Sequence, residues 1–281
     1  MQYILIPIDF SDHSYNALAY ARLVFHNEKC TFILLYVYVS HPSNLLNDEY
    51  SEGFLTKMSD EREEDLMFKI DEIEKENKNP NHQFEGLCKI DSLINAIKGI
   101  VISKEIDYIV MGTKGASGIK EIFLGSNTVK TINEIDNCPI LVVPNGYNPK
   151  KPSLIAFSTN FNRTFFKREV DPFLSIVKSN GSKIHITRIM QEKYLTDKQK
   201  TNQETLKTIF NEFNFTFTKI DVETSETEAL KDFARQTECD LIALVHHKYN
   251  FFQKLVEEDV VDKISFSSPV PLLILPELHI L

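Results

Sequence analysis

The chain has 281 residues, 42% hydrophobic and 25% charged, with 9 Gly and 11 Pro. At roughly 150 residues per domain that length favours two domains, and the composition excludes global disorder and collagen-like or low-complexity architectures. Its 31 basic against 40 acidic residues, a net charge of -9, argue against nucleic acid or an anionic membrane as partner.

In chain order, the first apolar run is Tyr3 to Ile8, with no basic residue before it and Asp9 closing it well short of a secretory or membrane-spanning segment. The expectation is a soluble, cytosolic protein. Ser14 to Phe25 follows, with Leu18, Ala21 and Phe25 at helical spacing, then the apolar run Phe32 to Val39. Ser59 to Lys78 sets Leu66, Ile70 and Ile73 on one helical stripe within a densely charged segment, which reads as a solvated outer face. Weaker and stronger apolar runs then alternate: Phe84 to Cys88, Ile106 to Met111 and Ile140 to Val143. Short runs rich in Ile, Val and Tyr suit strands buried on both faces, and strand alternating with helix implies right-handed crossovers in a parallel sheet.

The second half repeats the plan with Leu154 to Phe157, Ile184 to Ile189, Phe215 to Val222, Leu241 to Val245 and Leu272 to Leu275, and a helical spacer at Thr224 to Thr237. Ile106-Asp107-Tyr108-Ile109-Val110-Met111 resembles Cys239-Asp240-Leu241-Ile242-Ala243-Leu244, and Cys138-Pro139 through Pro144 resembles Val270-Pro271 through Pro276. These matches point to an internal duplication. Pro144-Asn145-Gly146-Tyr147-Asn148-Pro149-Lys150-Lys151-Pro152 is turn-rich and reads as a linker. The expected organisation is residues 1–144, a linker at 145–152, and residues 153–281. Each domain is expected to be a Rossmann-like or flavodoxin-like α/β unit with five mainly parallel strands and about four helices. Cys30, Cys88, Cys138 and Cys239 form no C-x-x-C pair and read as free thiols in a reducing compartment.

Glycine is concentrated. Four of the nine, Gly112, Gly115, Gly118 and Gly125, lie within residues 112–125, directly after the strand ending at Met111, and Gly125-Ser126 opens a helix over Asn127 to Ile135. Such glycines either permit positive φ in tight turns or let backbone amides and a helix N-terminus approach a phosphate. The spacing Gly112-x2-Gly115-x9-Gly125-Ser126, with Pro7-Ile8-Asp9-Phe10-Ser11 ending the first strand, resembles the ATP-binding signature of the universal stress protein family. The likeness covers residues 1–144 and, through the repeat, extends more weakly to the rest, as in the family's tandem members.

That resemblance implies a site. Asp9, flanked by Pro7 and Ile8, would contact the adenosine part, and Val37 would contribute a backbone contact. Met111 and Gly112 would border the ribose and α-phosphate, Gly115 and Gly125 would approach the phosphates, and Ser126 would donate its hydroxyl or amide. Asn127 stands where the family often has a small apolar residue. Lys114 and Lys120 are the nearby cations, and a solvated loop lysine is the commoner outcome for such residues. Ser11 or Asp12 is better placed than Asp9 to cap the next helix, which leaves Asp9 for a ligand. The resemblance further implies ATP, with or without Mg, as ligand, a pairing of the two final strands into an internal pseudo-dimer, and possible homodimers. It names no regulatory protein partner.

In the second half Glu257 and Glu258 align with Gly125 and Ser126, Val245-His246-His247-Lys248 replaces Gly112 to Gly115, and Ser158-Thr159 replaces the acid. A carboxylate at 4 Å from a phosphate charge costs about 1 kcal/mol in water and about 4 at an effective dielectric of 20, so one nucleotide per chain is expected, in the first half. His246-His247 with Glu257 or Glu258 lacks a recognisable third metal ligand. No general base or Mg-binding acid is identifiable, so catalysis is not required. A weak ATP hydrolase or phosphotransferase using Ser126 or Thr113 as acceptor, and a nucleotide-free scaffold, are the rival readings.

Overall fold

The structure, a computed structural model, describes residues 1–38, 51–113, 125–189, 194–222, 225–246 and 268–277. The first half contains β1 (Gln2–Ile8), α1 (Asp12–Val24), β2 (Cys30–Tyr38), α2 (Ser51–Glu76), β3 (His82–Ile90), α3 (Leu93–Ser103), β4 (Tyr108–Gly112), α4 (Ser126–Glu134) and β5 (Ile140–Val143). The second contains β6 (Leu154–Ser158), α5 (Lys167–Asn180), β7 (Lys183–Ile189), α6 (Asp197–Ile209), β8 (Phe215–Ile220), α7 (Glu226–Thr237), β9 (Leu241–His246) and β10 (Leu272–Pro276). Each of the ten apolar runs contains a strand, Val39 at the end of the second lying outside the described residues. The second-half counterpart of α4 would fall at positions outside the described residues. No helix among the described residues is long and apolar enough to cross a membrane.

The strands form one sheet in the order β3-β2-β1-β4-β5-β10-β9-β6-β7-β8. Within each half every pairing is parallel, and the halves join where β10 runs antiparallel to β5, with Leu273 opposite Leu141. Two tandem α/β domains thus share a continuous sheet. One face carries α1, α2, α5 and α6 over a core that includes Ile4, Ile6, Leu18, Leu66, Phe157 and Phe173. The other carries α3, α4 and α7 over Leu5, Ile97, Ile109, Ile132, Leu230 and Leu272. Leu66, Ile70 and Ile73 are the buried stripe of α2, as their spacing requires.

The halves share backbone detail. The amide of Asp107 donates to the Tyr3 carbonyl at 2.9 Å, and that of Asp240 to the Leu154 carbonyl at 2.8 Å. Glu105 and Glu238 both adopt left-handed conformations just before these aspartates, with φ of 49° and 51°. This aligns Tyr3 with Leu154, and hence Pro7 with Ser158, Asp9 with Asn160, and Phe10 with Phe161. Phe10 and Phe161 are again a left-handed pair, at φ of 60° and 56°. Ser158-Thr159 therefore does not replace the acid of the first half; Asn160 does. Seven residues lie between Thr159, the counterpart of Ile8, and α5, whereas three lie between Ile8 and α1, so an alignment carried back from the helices is displaced.

Cys30, Cys138 and Cys239 are buried free thiols and Cys88 is half-buried. Burial pushes the Cys30 and Cys239 thiols up to about 12.

Candidate functional site

In a doubly wound sheet a crevice forms where successive connections leave a strand in opposite directions, here between β1 and β4. β1 pairs with β2 through its last residue, Ile8 opposite Tyr36, and β4 pairs with β5 through Gly112 opposite Val143. Pairing between β1 and β4, however, stops at Leu5 opposite Ile109. The cause is chemical. Tyr3 turns its amide and carbonyl to Asp107, so by strand alternation Leu5 and then position 7 face β4. Position 7 is Pro7, which has no N–H to donate, so the hydrogen-bonded ladder ends there. In the second half Ser158 occupies this place, and pairing of β6 with β9 continues to Ser158 opposite Leu244.

The expected site residues fall on the two lips of this opening. Pro7 and the buried Ile8 close β1, and Asp9 follows as an exposed side chain; Met111, buried, and Gly112 close β4. Val37 is half-buried near the end of β2, one residue past the last β1 partner, Tyr36. Gly125 is the N-cap of α4, and Ser126 and Asn127 are its first, exposed residues. The first turn of α4 is tied to the end of β4 by Thr128, whose Oγ1 donates to the Gly112 carbonyl at 3.3 Å. Strand ends and helix N-terminus therefore meet at one edge. Gly115, Lys114 and Lys120 lie outside the described residues, as do Glu257, Glu258, His247 and Lys248.

Asp9 accepts hydrogen bonds from the Ser11 amide at 3.1 Å and from the Ser11 hydroxyl. Partial desolvation raises its carboxyl pKa, but the Ser11 hydrogen bonds, joined by one from Ser14, prevail and hold it below its ordinary value. Ser11 is the N-cap of α1, accepting from the Ser14 amide, so Asp9 is not the cap. Asn160 makes the same turn in the second half, its Oδ1 accepting from the Asn162 amide at 3.0 Å. The second half thus keeps the turn and loses the charge.

Gly112 and Gly125 are not conformational devices: among the described residues the glycines with positive φ are Gly146 and Gly181. Gly112 is needed for close packing, because a Cβ there would lie 2.4 Å from the His13 carbonyl oxygen of α1. Gly125 has φ of -62° and provides no side-chain cap, and the positive dipole end of a helix N-terminus favours an anion.

Sequence reasoning read Thr113 as a possible phosphate acceptor and Asn145 as linker, and the structure places both differently. Thr113 is buried and its Oγ1 accepts the Asn145 amide at 3.0 Å, so it is poorly placed as a phosphate acceptor. Asn145, read as linker, meets His13 Nδ1 through its Oδ1 at 2.5 Å. Only contact across 132 residues reveals this. Among the described residues no group of three or more His, Cys, Asp or Glu is arranged to hold a metal ion.

In the second half the loop after β6 packs against β8 and α6. Phe161 is fully buried, its ring 6.2 Å from that of Phe217, and its carbonyl accepts from Asn202 Nδ2 at 2.8 Å. Gln199 Nε2 donates to the Asn160 carbonyl at 3.0 Å, and Arg163 pairs with buried Glu169 at 2.7 Å.

A family model described as the universal stress protein family matches residues 1–144. The universal stress protein in the QAH/OAS sulfhydrylase 3'region of Thermus aquaticus is 29% identical over 146 residues, 50% of this chain and 96% of that protein. Universal stress protein MJ0531 of Methanocaldococcus jannaschii is 30% identical over 150 residues, 53% of this chain and 83% of that protein. Among solved structures, a universal stress protein from Archaeoglobus fulgidus DSM 4304 superposes with a TM-score of 0.70 at 18% identity, covering 97% of both chains. A putative universal stress protein from Pseudomonas aeruginosa UCBPP-PA14 does so with a TM-score of 0.62 at 13% identity, covering 98% of this chain and 93% of that one. At such identities these two structures speak for the fold.

Proposed function

The chain belongs to the universal stress protein family, and from that membership we propose that it is a cytosolic, ATP-binding stress-response regulator holding one nucleotide, in the crevice between β1 and β4. The observation that carries this reading is the end of β1–β4 pairing at Leu5 and Ile109, with Asp9 after one strand, Gly112 closing the other, and beside them the N-terminus of α4, whose N-cap Gly125 provides no side-chain cap. In this assignment Asp9, with Pro7 and Ile8, takes the adenosine part by accepting from a hydroxyl or amine. Val37 offers backbone, Met111 and Gly112 border the ribose, and Gly115, Gly125, Ser126 and Asn127 receive the phosphates at the helix N-terminus. ATP, with or without Mg, supplies the anionic charge this terminus favours.

The same reading takes residues 1–144 as the nucleotide domain, 145–152 as the linker and 153–281 as a degenerate copy. Three features support a single site: Ser158 in place of Pro7, Asn160 in place of Asp9, and a loop whose Phe161 fills the core. The reading is of a regulator rather than a catalyst: of the two candidate phosphate acceptors Thr113 is buried and held by Asn145, which leaves the exposed Ser126 as the residue on which the rival reading would rest.

The test is ATP binding by the purified chain and by Gly125→Glu. A carboxylate at a helix N-terminus favours the helix dipole, so α4 should persist while phosphate is repelled. Loss of binding with unchanged melting supports the reading. Equal binding by the variant contradicts it.

A further inference from the structure

The two lips of the crevice are held by something other than strand pairing. β1 and β4 are unpaired beyond Leu5 and Ile109, yet the first turn of α1 lies directly on Gly112, with the His13 carbonyl oxygen 2.4 Å from where a Cβ would be. Asn145, two residues past the end of β5, bridges them. Its Oδ1 accepts from His13 Nδ1 at 2.5 Å, and its amide donates to Thr113 Oγ1 at 3.0 Å, one residue beyond Gly112. Asn16 Nδ2 adds a 3.4 Å bond to the Pro144 carbonyl just before it. One side chain and one backbone amide of Asn145 thereby join the first turn of α1 to the residue after β4.

The second half has a clasp at the matching place with different chemistry. Glu277 follows Pro276 as Asn145 follows Pro144, and its Oε1 lies 3.6 Å from Nη1 of Arg163, in the loop leading from β6 to α5. There the strands are already paired to the end of β6, so the clasp has no opening to set. In the first half it ties the two elements where the β1–β4 ladder has ended.

We propose that Asn145 is a positioning residue of the nucleotide site, fixing through His13 and Thr113 the separation of the two lips between which the nucleotide lies. This rests on the reading of the β1–β4 crevice as that site. Asn145 touches no ligand in this account; it acts through the turn and the strand end that do.

The experiment is an ATP titration, by calorimetry, of the full chain and of Asn145→Ala, Thr113→Val, Thr113→Ser and Glu277→Gln, with thermal melting recorded for each. Loss of one ordering hydrogen bond should weaken ATP binding about tenfold in N145A and T113V. T113S, which keeps the acceptor oxygen, should recover most of what T113V loses. E277Q, at the second clasp, should bind as the parent does. If the parent binds ATP and both N145A and T113V stay within about twofold of it, the inference is overturned and the site reading survives. If E277Q loses as much as N145A, the effect is global and the inference is again overturned. Should N145A melt without cooperativity, the T113V and T113S pair decides. A parent chain that binds no ATP removes the site reading and the inference with it.

Discussion

Asp9 shows how one side chain distinguishes two copies of a turn. At its own position and at Asn160 a side-chain oxygen accepts the amide two residues on, and a phenylalanine follows with φ near 60°. A non-glycine residue in that conformation carries roughly 1–2 kcal/mol of strain, so the turn is imposed by its surroundings in both halves. Asp9→Asn should therefore leave stability within about 0.5 kcal/mol in chemical denaturation. ATP affinity should fall at least about tenfold, since hydrogen bonds to charged groups are worth roughly 1.5–3 kcal/mol. Because the folded-state pKa lies below the ordinary 3.8, Asp9 stays ionised through the neutral and mildly acidic range, and its stabilising contribution is lost only as pH falls through and below that value. The position of Asp9 was legible in the sequence because it closes an apolar run. Asn160 was not, since four extra loop residues before α5 shift the alignment and only the shared left-handed phenylalanine restores it.

Between elements, the consequential difference is one missing amide. The strands, the two glycines at their ends and the helix after Gly125 could be read from apolar runs and glycine spacing, as could the stripe of α2. What Pro7 does could not, because it depends on which neighbour the position faces, and that is set by pairing between segments about a hundred residues apart. Pro7→Ser imitates the second half. The new N–H is expected to extend the β1–β4 ladder and narrow the crevice. Gain of one hydrogen bond, about 0.5–1.5 kcal/mol, roughly offsets the loss of proline's restriction of the unfolded chain, about 0.4–1 kcal/mol. Melting should hardly change, ATP affinity should drop, and amide exchange at position 7 should be slow. A variant that binds ATP as tightly as the parent would separate the crevice from Pro7.

At the scale of the whole molecule, the antiparallel join of β5 and β10 removes the edge each domain would otherwise expose. Both cores run across the join, reinforced by Tyr108 donating to the Pro172 carbonyl at 2.8 Å and Asn180 Nδ2 to the Val24 carbonyl at 2.9 Å. A fragment ending at Pro144 would bare the β5 edge and the surfaces behind it, and unpaired edges template new pairing. Such a fragment should sediment as a dimer, whereas a stable monomer would show that the join contributes little. The repeat and its linker were readable from two matched segments, but the way the linker serves the site was not. Asn145 looked like one more turn residue until the fold set it between His13 and Thr113.

The central claim, one nucleotide per chain in the first half, is tested most directly by stoichiometric titration of the intact chain with ATP, with the bound nucleotide counted chemically. The account predicts one equivalent, abolished by Gly125→Glu. Two equivalents, or one that survives that substitution, would contradict it.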